Sequence, residues 1–333
     1  MNRITDPKSV EPEKIRDILD RGVRPTVQFS GRTYSPTLLD DVNQLCRAFG
    51  EKLEVRFFGH YGDAFDASIL THLPDAQWLS VDCLHEIYNE DAIADLPLLR
   101  KLTFGVYRFS RKDFLPKLRL EQLKQLVLAE VERPAVFDLS SLERCHQLEI
   151  LFLNGLAKNI EAVAGLRKLE KLSLAGIPNK QGLSFVNNVA SLRALTLILG
   201  GRSSIEDDIS HAGLEELSII RVRGLETLGH VQRFGNLRLL HIEDQLQLRG
   251  LSVGGSQLQE ISVHNCKNLE KIEGLDELTR LEHFRVSRTN LDLDALLARS
   301  WPASMRVVAL YSGSEKWNAN ARKVLDGRGY REM

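Results

Sequence analysis

Apolar positions recur along the chain in the spacing L-x-x-L-x-L, clearest at Leu123, Leu126, Leu128; at Leu148, Leu151, Leu153; at Leu169, Leu172, Leu174; at Leu192, Leu195, Leu197; and at Leu237, Leu240, Ile242. With the second apolar residue of each copy as an anchor, thirteen units follow: Val27, Leu53, Leu79, Leu102, Leu126, Leu151, Leu172, Leu195, Leu217, Leu240, Ile261, Phe284 and Val308. The first and last anchors are 281 positions apart, a mean period of about 23. Alternation around each anchor predicts a short strand. One such unit cannot bury its own apolar edge, so fixed-period copies must stack and share a continuous core.

Between anchors a second spacing appears. Leu139, Leu142, Cys145, Leu148 and Leu151 fall every third residue, as do Ile160, Val163, Leu166, Leu169 and Leu172. Side chains three apart eclipse in a 3-10 turn, so the return segments read as short, tightly wound turns. The early units differ. Leu38, Leu39, Val42, Leu45 and Cys46 follow Ser35 at helical spacing, which predicts a capped α-helix there. Glu11 to Arg21 and Ser314 to Leu325 read as amphipathic end caps, with Trp317 shielding the last unit.

On these residues the chain resembles a leucine-rich repeat protein, of an irregular cytoplasmic type, over roughly residues 24 to 312. The segment Asn268-Leu269-Glu270-Lys271-Ile272-Glu273-Gly274-Leu275 resembles the phosphatase-regulator type of repeat. The resemblance implies an α/β solenoid, a horseshoe of about 13 repeats, with a parallel sheet on the concave face and short helical or 3-10 segments on the convex face. The domain reading is then an N-terminal helical cap over 1–23, the solenoid over 24–312, and a C-terminal capping helix and tail over 313–333. The family places Asn or Cys at the ninth repeat position, where it bonds the turn. Here that position reads Phe58, Leu84, Tyr107, Val131, Leu156, Ile177, Gly200, Val222, Gln245, Cys266 and Thr289, so only Cys266 fits.

Composition narrows the function classes. The formal net charge is −1, which offers no general basic field for nucleic acid. The N-terminus has no apolar signal core and no stretch is long enough to span a membrane, which predicts neither a secretory signal nor a membrane partner. Cys46, Cys83, Cys145 and Cys266 fall at repeat positions rather than in close pairs, which favours a reducing compartment and hence a cytoplasmic location; secretion by a signal-less route stays open.

If the anchors point into the core, the residues one before, one after and three after each point to the open sheet face. Thirteen strands ~4.8 Å apart would make a surface ~60 Å long, suited to a protein or long peptide. The columns give two zones. Val127, Ala129, Ile150, Phe152, Ala175, Ile198 and Ile220 make an apolar centre; His241, Glu243, Glu260, His264, His283 and Arg285 make a polar third. Contiguous apolar residues on a solvent face mark interfaces, and Phe152 is the hot-spot candidate. Trp78, beside Lys52 and Lys101 in its column, is a second anchor candidate.

Chemistry could sit at His241, Glu243 and His264, since two imidazoles and a carboxylate can hold a divalent ion, but any strand ladder produces such neighbours. The sequence lacks a G-x-S-x-G elbow, a phosphate-cradling G-x-x-x-x-G-K-[ST], a C-x-x-C pair and an H-E-x-x-H. The expectation is a non-catalytic module without cofactor or metal, binding one or more protein partners on the concave face, in the manner of an inhibitor, an immunity-type protein or a scaffold. The alternative is a metal-dependent or histidine-based enzyme at the polar end.

Overall fold

A computed structural model describes residues 2–109, 111, 113–129, 137–155 and 157–330, the side chains of Cys83 and Ala157 lying outside that description. The chain divides into two compact units, residues 1–169 and 170–333. Each holds a parallel sheet whose strands follow one another in chain order, the arrangement expected of a leucine-rich repeat.

In the first unit the order is Arg3–Thr5, Thr26–Ser30, Glu54–Phe58, Trp78–Tyr88, Lys101–Arg108, Gln125–Ala129 and Ile150–Asn154. Residues 1–23 supply more than a helix, because Arg3–Thr5 adds a strand beside Thr26–Ser30. The register corrects one anchor. Val27 pairs with Val55, and Val55 with Leu79, so the second anchor is Val55 rather than Leu53. Leu53, Val55 and Phe57 are all buried, and a period of two cannot tell which of three same-facing apolar residues starts the motif. Lys52 therefore leaves the sheet-face column, Glu54 and Arg56 move to the positions before and after the anchor, and Phe58 joins the face. His60, not Phe58, stands at the ninth position.

In the second unit the strands are Lys171–Ala175, Ala194–Ile198, Glu216–Ile220, Leu239–Glu243, Glu260–His264, His283–Ser287 and Val307–Tyr311. Anchors pair in the expected register, Leu195 with Leu217, Leu240 with Ile261, and Phe284 with Val308. All are buried, each stabilising the stack by roughly 1.5–3 kcal/mol through the apolar surface it removes from water.

The return segments are as the spacing of three predicts. Leu139–Arg144, Ile160–Gly165, Ser184–Asn188 and Val231–Arg233 are 3-10 helices. The early exception is Pro36–Phe49, a true α-helix whose Ser35 side chain accepts from the Leu38 N–H. The end helices are Pro12–Asp20, burying Ile15 and Ile18, and Glu315–Gly327, burying Ala321 and Leu325. Trp317 is half-buried, and its indole donates to Asp294 at 2.9 Å.

The turns show how the fold works without an asparagine ladder. Leu199, Arg221, Asp244, Asn265 and Arg288, each four residues after its anchor, adopt φ between 52° and 59°. That left-handed bend aims their N–H groups at the next strand, as in Leu199 to the Ile220 carbonyl at 2.9 Å and Arg221 to the Glu243 carbonyl at 2.9 Å. Backbone thus does what a side-chain ladder does elsewhere. At the next position Gln245 is fully buried and its Nε2 donates to the Glu243 carbonyl at 2.7 Å, bonding the turn as the Cys266 thiol does at the His264 carbonyl. Val131 and Leu156, two of the ninth positions, lie outside the described residues.

Candidate functional site

The open sheet face of the first unit is built by alternation. Because Leu126, Leu128, Leu151 and Leu153 point inward, Val127, Ile150 and Phe152 must point outward, and all three are half-buried. Val127 pairs with Phe152 and Gln125 with Ile150 across adjacent parallel strands, so the three make one apolar patch about two strands wide. Lys101 pairs with Gln125 in the same row, which places it one strand before the patch.

Around Lys101 the side chains are mostly cationic. Glu51 takes the Lys124 ammonium at 2.9 Å, with Arg100 at 3.5 Å and Lys101 at 3.8 Å. Trp78 is 8% exposed and so forms the floor of this cluster rather than a protruding anchor. Lys101 Nζ sits 4.8 Å from its ring centroid and the Arg24 guanidinium 5.7 Å. Partial burial pulls the Lys101 ammonium below the usual lysine range; the Glu51 carboxylate opposes this, while Arg24 and Lys124 add to it. Further along the sheet Arg56 forms a two-pronged pair with Asp82 at 2.7 and 2.8 Å.

In the second unit Ala175, Ile198 and Ile220 stand in one row, with Ile198 and Ile220 half-buried. Beyond them the polar residues come together as the columns foretell, and they pair with one another. Glu260 takes Arg285 at 2.5 Å and His283 at 3.4 Å, and His241 meets Glu243 at 3.2 Å. Glu243 and His264 are register neighbours, but His264 bonds the Ser287 hydroxyl. Glu216, Arg238, Glu260, Glu282 and His283 line a groove of about 320 Å³.

The arrangement does not assemble the metal set that the sequence left open. Among the described residues no three His, Cys, Asp or Glu side chains are placed to share a metal ion. Nor are activated thiols present among the described cysteines: burial pushes Cys46 and Cys145 up to about 12 and Cys266 up to about 11, so these thiols stay protonated. Sequence reasoning missed Arg100, Lys124 and Glu51. Arg100 and Lys124 precede the alternating residues of their strands, and Lys124 reaches Glu51 across 73 positions of chain.

No family model matches the sequence, and no curated protein matches it. Among solved structures the chain is similar to an internalin from Listeria monocytogenes, at 17% identity and a TM-score of 0.51, over 86% of this chain and 78% of that one. A leucine-rich repeat protein from Leptospira interrogans is 14% identical with a TM-score of 0.47, covering 96% of this chain and 92% of that one. A chain of the Drosophila Toll–Spätzle complex is 13% identical with a TM-score of 0.48, covering 87% of this chain and 40% of that one. With the repeat register above, the first likeness shows the fold: the chain has a leucine-rich repeat fold. Among the described residues no helix is long and apolar enough to cross a membrane.

Proposed function

We propose that the chain is a non-catalytic interaction module that holds a protein partner on its open sheet face. The observation that carries this reading is the patch of Val127, Ile150 and Phe152, large apolar side chains half-open on a face that alternation makes solvent-facing. Such a patch supplies affinity by burial, and Phe152, the one aromatic in it, is the hot spot. In the second unit Ile198 and Ile220 supply a smaller apolar row, while His241, Glu243, Glu260, His264, His283 and Arg285 set register and reject wrongly charged partners. An inhibitor or immunity-type role follows if the partner is an enzyme or toxin whose active site this surface covers.

The test is a paired affinity capture from native lysate with wild type and a Val127→Glu, Phe152→Glu variant shown to be folded by circular dichroism. A protein retained by wild type and lost by the variant supports the reading and names the partner. Retention of the same set by both forms contradicts it.

A further inference from the structure

The start of each strand carries a row of residues two before the anchor, joined by backbone hydrogen bonds such as Lys124 N–H to the Arg100 carbonyl at 2.7 Å and Arg238 N–H to the Glu215 carbonyl at 2.8 Å. In the second unit the row reads Glu170, Arg193, Glu215, Arg238, Gln259, Glu282, Arg306. Its charges alternate and cancel in place, with Arg193 3.6 Å from Glu215 and Arg306 3.3 Å from Glu282. The first unit breaks that rule. Arg100 and Lys124 are consecutive in the row, Lys101 stands beside them, and all three lean on the single carboxylate of Glu51.

Arg24, Arg100, Lys101 and Lys124 face Glu51 and Glu149, four cations against two carboxylates. The Glu54 carboxylate is occupied by the hydroxyls of Thr26 at 2.8 Å and Ser80 at 2.5 Å. A second observation agrees. The Trp78 ring beneath Lys101 is more than nine-tenths buried, and its indole N–H has no acceptor among the described residues. An unpaired buried donor adds the positive end of a dipole to an already cationic cluster.

We propose, resting on the reading of this face as the partner site, that the first unit takes an acidic protein segment: an apolar side chain seats on Val127, Ile150 and Phe152 while a carboxylate binds between Lys101 and Lys124. Charge complementarity selects the acid, and the apolar patch beside it selects a protein over a nucleic acid backbone. The distance sets a further condition. Lys101 and Ile150 are two strands apart, ~10 Å, which an extended peptide spans in about three residues. The recognised segment carries Asp or Glu about three positions from an aromatic or aliphatic residue.

The probe is a random twelve-residue peptide library displayed on phage and selected on the full-length wild-type protein. The expected result is enrichment of peptides with an acid about three positions from a large apolar residue. Lys101→Glu, Lys124→Glu then weakens a chosen peptide on the order of a hundredfold, tenfold for each charged contact, and Lys replacing the peptide's acid restores binding to that variant. Lys101→Arg, Lys124→Arg, retaining charge and fold, keeps binding within a few-fold. Enriched peptides without acids, an unchanged affinity in the charge-reversed variant, or a selection that enriches nothing overturns the inference, as does tighter binding of a single-stranded oligonucleotide than of any peptide. Peptides that lose binding on Phe152→Glu but not on charge reversal leave the interface reading standing and remove the acidic segment alone.

Discussion

The two units use the same strand ladder to opposite electrostatic ends. In the second, charges are matched within the molecule: Glu260 takes both Arg285 and His283, His241 meets Glu243, and the row at the strand starts alternates in sign. In the first, Val127, Ile150 and Phe152 have no polar role, and three cations share one glutamate. A partner approaching the second unit must break pairs it then has to replace, so little net affinity is available there. On the proposed reading, a partner approaching the first covers apolar surface and supplies an anion to the cations that share Glu51. The pairing geometry favours the apolar centre, where the sequence already singled out Phe152, over the histidine-rich end as the proposed partner site.

The largest expected effect separates the two faces directly. Phe152→Glu reduces partner affinity by roughly a hundredfold, the cost of a hot-spot residue turned polar, as read by calorimetric titration. In the second unit Gly200→Ala destabilises by about 2 kcal/mol, since its φ of +73° disfavours any side chain and a Cβ there would lie 2.3 Å from the Ile177 carbonyl oxygen. Partner affinity of the surviving folded fraction stays unchanged, and a drop would blur the distinction between the units. Gln245→Leu costs about 1 kcal/mol in denaturant unfolding, because the Glu243 carbonyl loses one of its two donors and keeps only the Arg221 N–H. Arg285→Ala is smaller, under ~1 kcal/mol in stability and less than about fivefold in affinity, because the pair it breaks is partly solvated.

The last contrast is pH dependence in the first unit. Burial depresses the His60 pKa below its ordinary value of 6.5, nearby Arg32 adds to the depression, and Asp63 opposes it. A depressed histidine means the unfolded chain binds the proton more readily. The stability tied to neutral His60 is therefore complete above about pH 6.5 and is lost as pH falls through the range below it. Hydrogen exchange at pH 5.5 and 7.5 should show the loss in the first unit, and His60→Leu should flatten it.

The repeat period, the thirteen strands and the outward direction of Phe152 were legible because stacking forces one apolar spacing on every unit. The second anchor was not, since Leu53, Val55 and Phe57 face the same way and only pairing with Val27 and Leu79 distinguishes them. Trp78 was read in the right column but with the wrong exposure, because Arg24 and Lys101 cover it from distant parts of the chain. The cationic cluster was invisible for the same reason: Glu51 meets Lys124 only through the fold. The absence of the asparagine ladder was legible, but not its replacement: left-handed residues such as Arg221 and Asn265 supply the inter-strand bonds through backbone.

The most direct test is a side-by-side titration of the captured partner against wild type, Val127→Glu with Phe152→Glu, and His241→Ala with Arg285→Ala. The account predicts that the first pair abolishes measurable binding while the second changes affinity less than about tenfold. Loss of binding in the histidine and arginine pair, with the apolar pair binding as wild type, would contradict it.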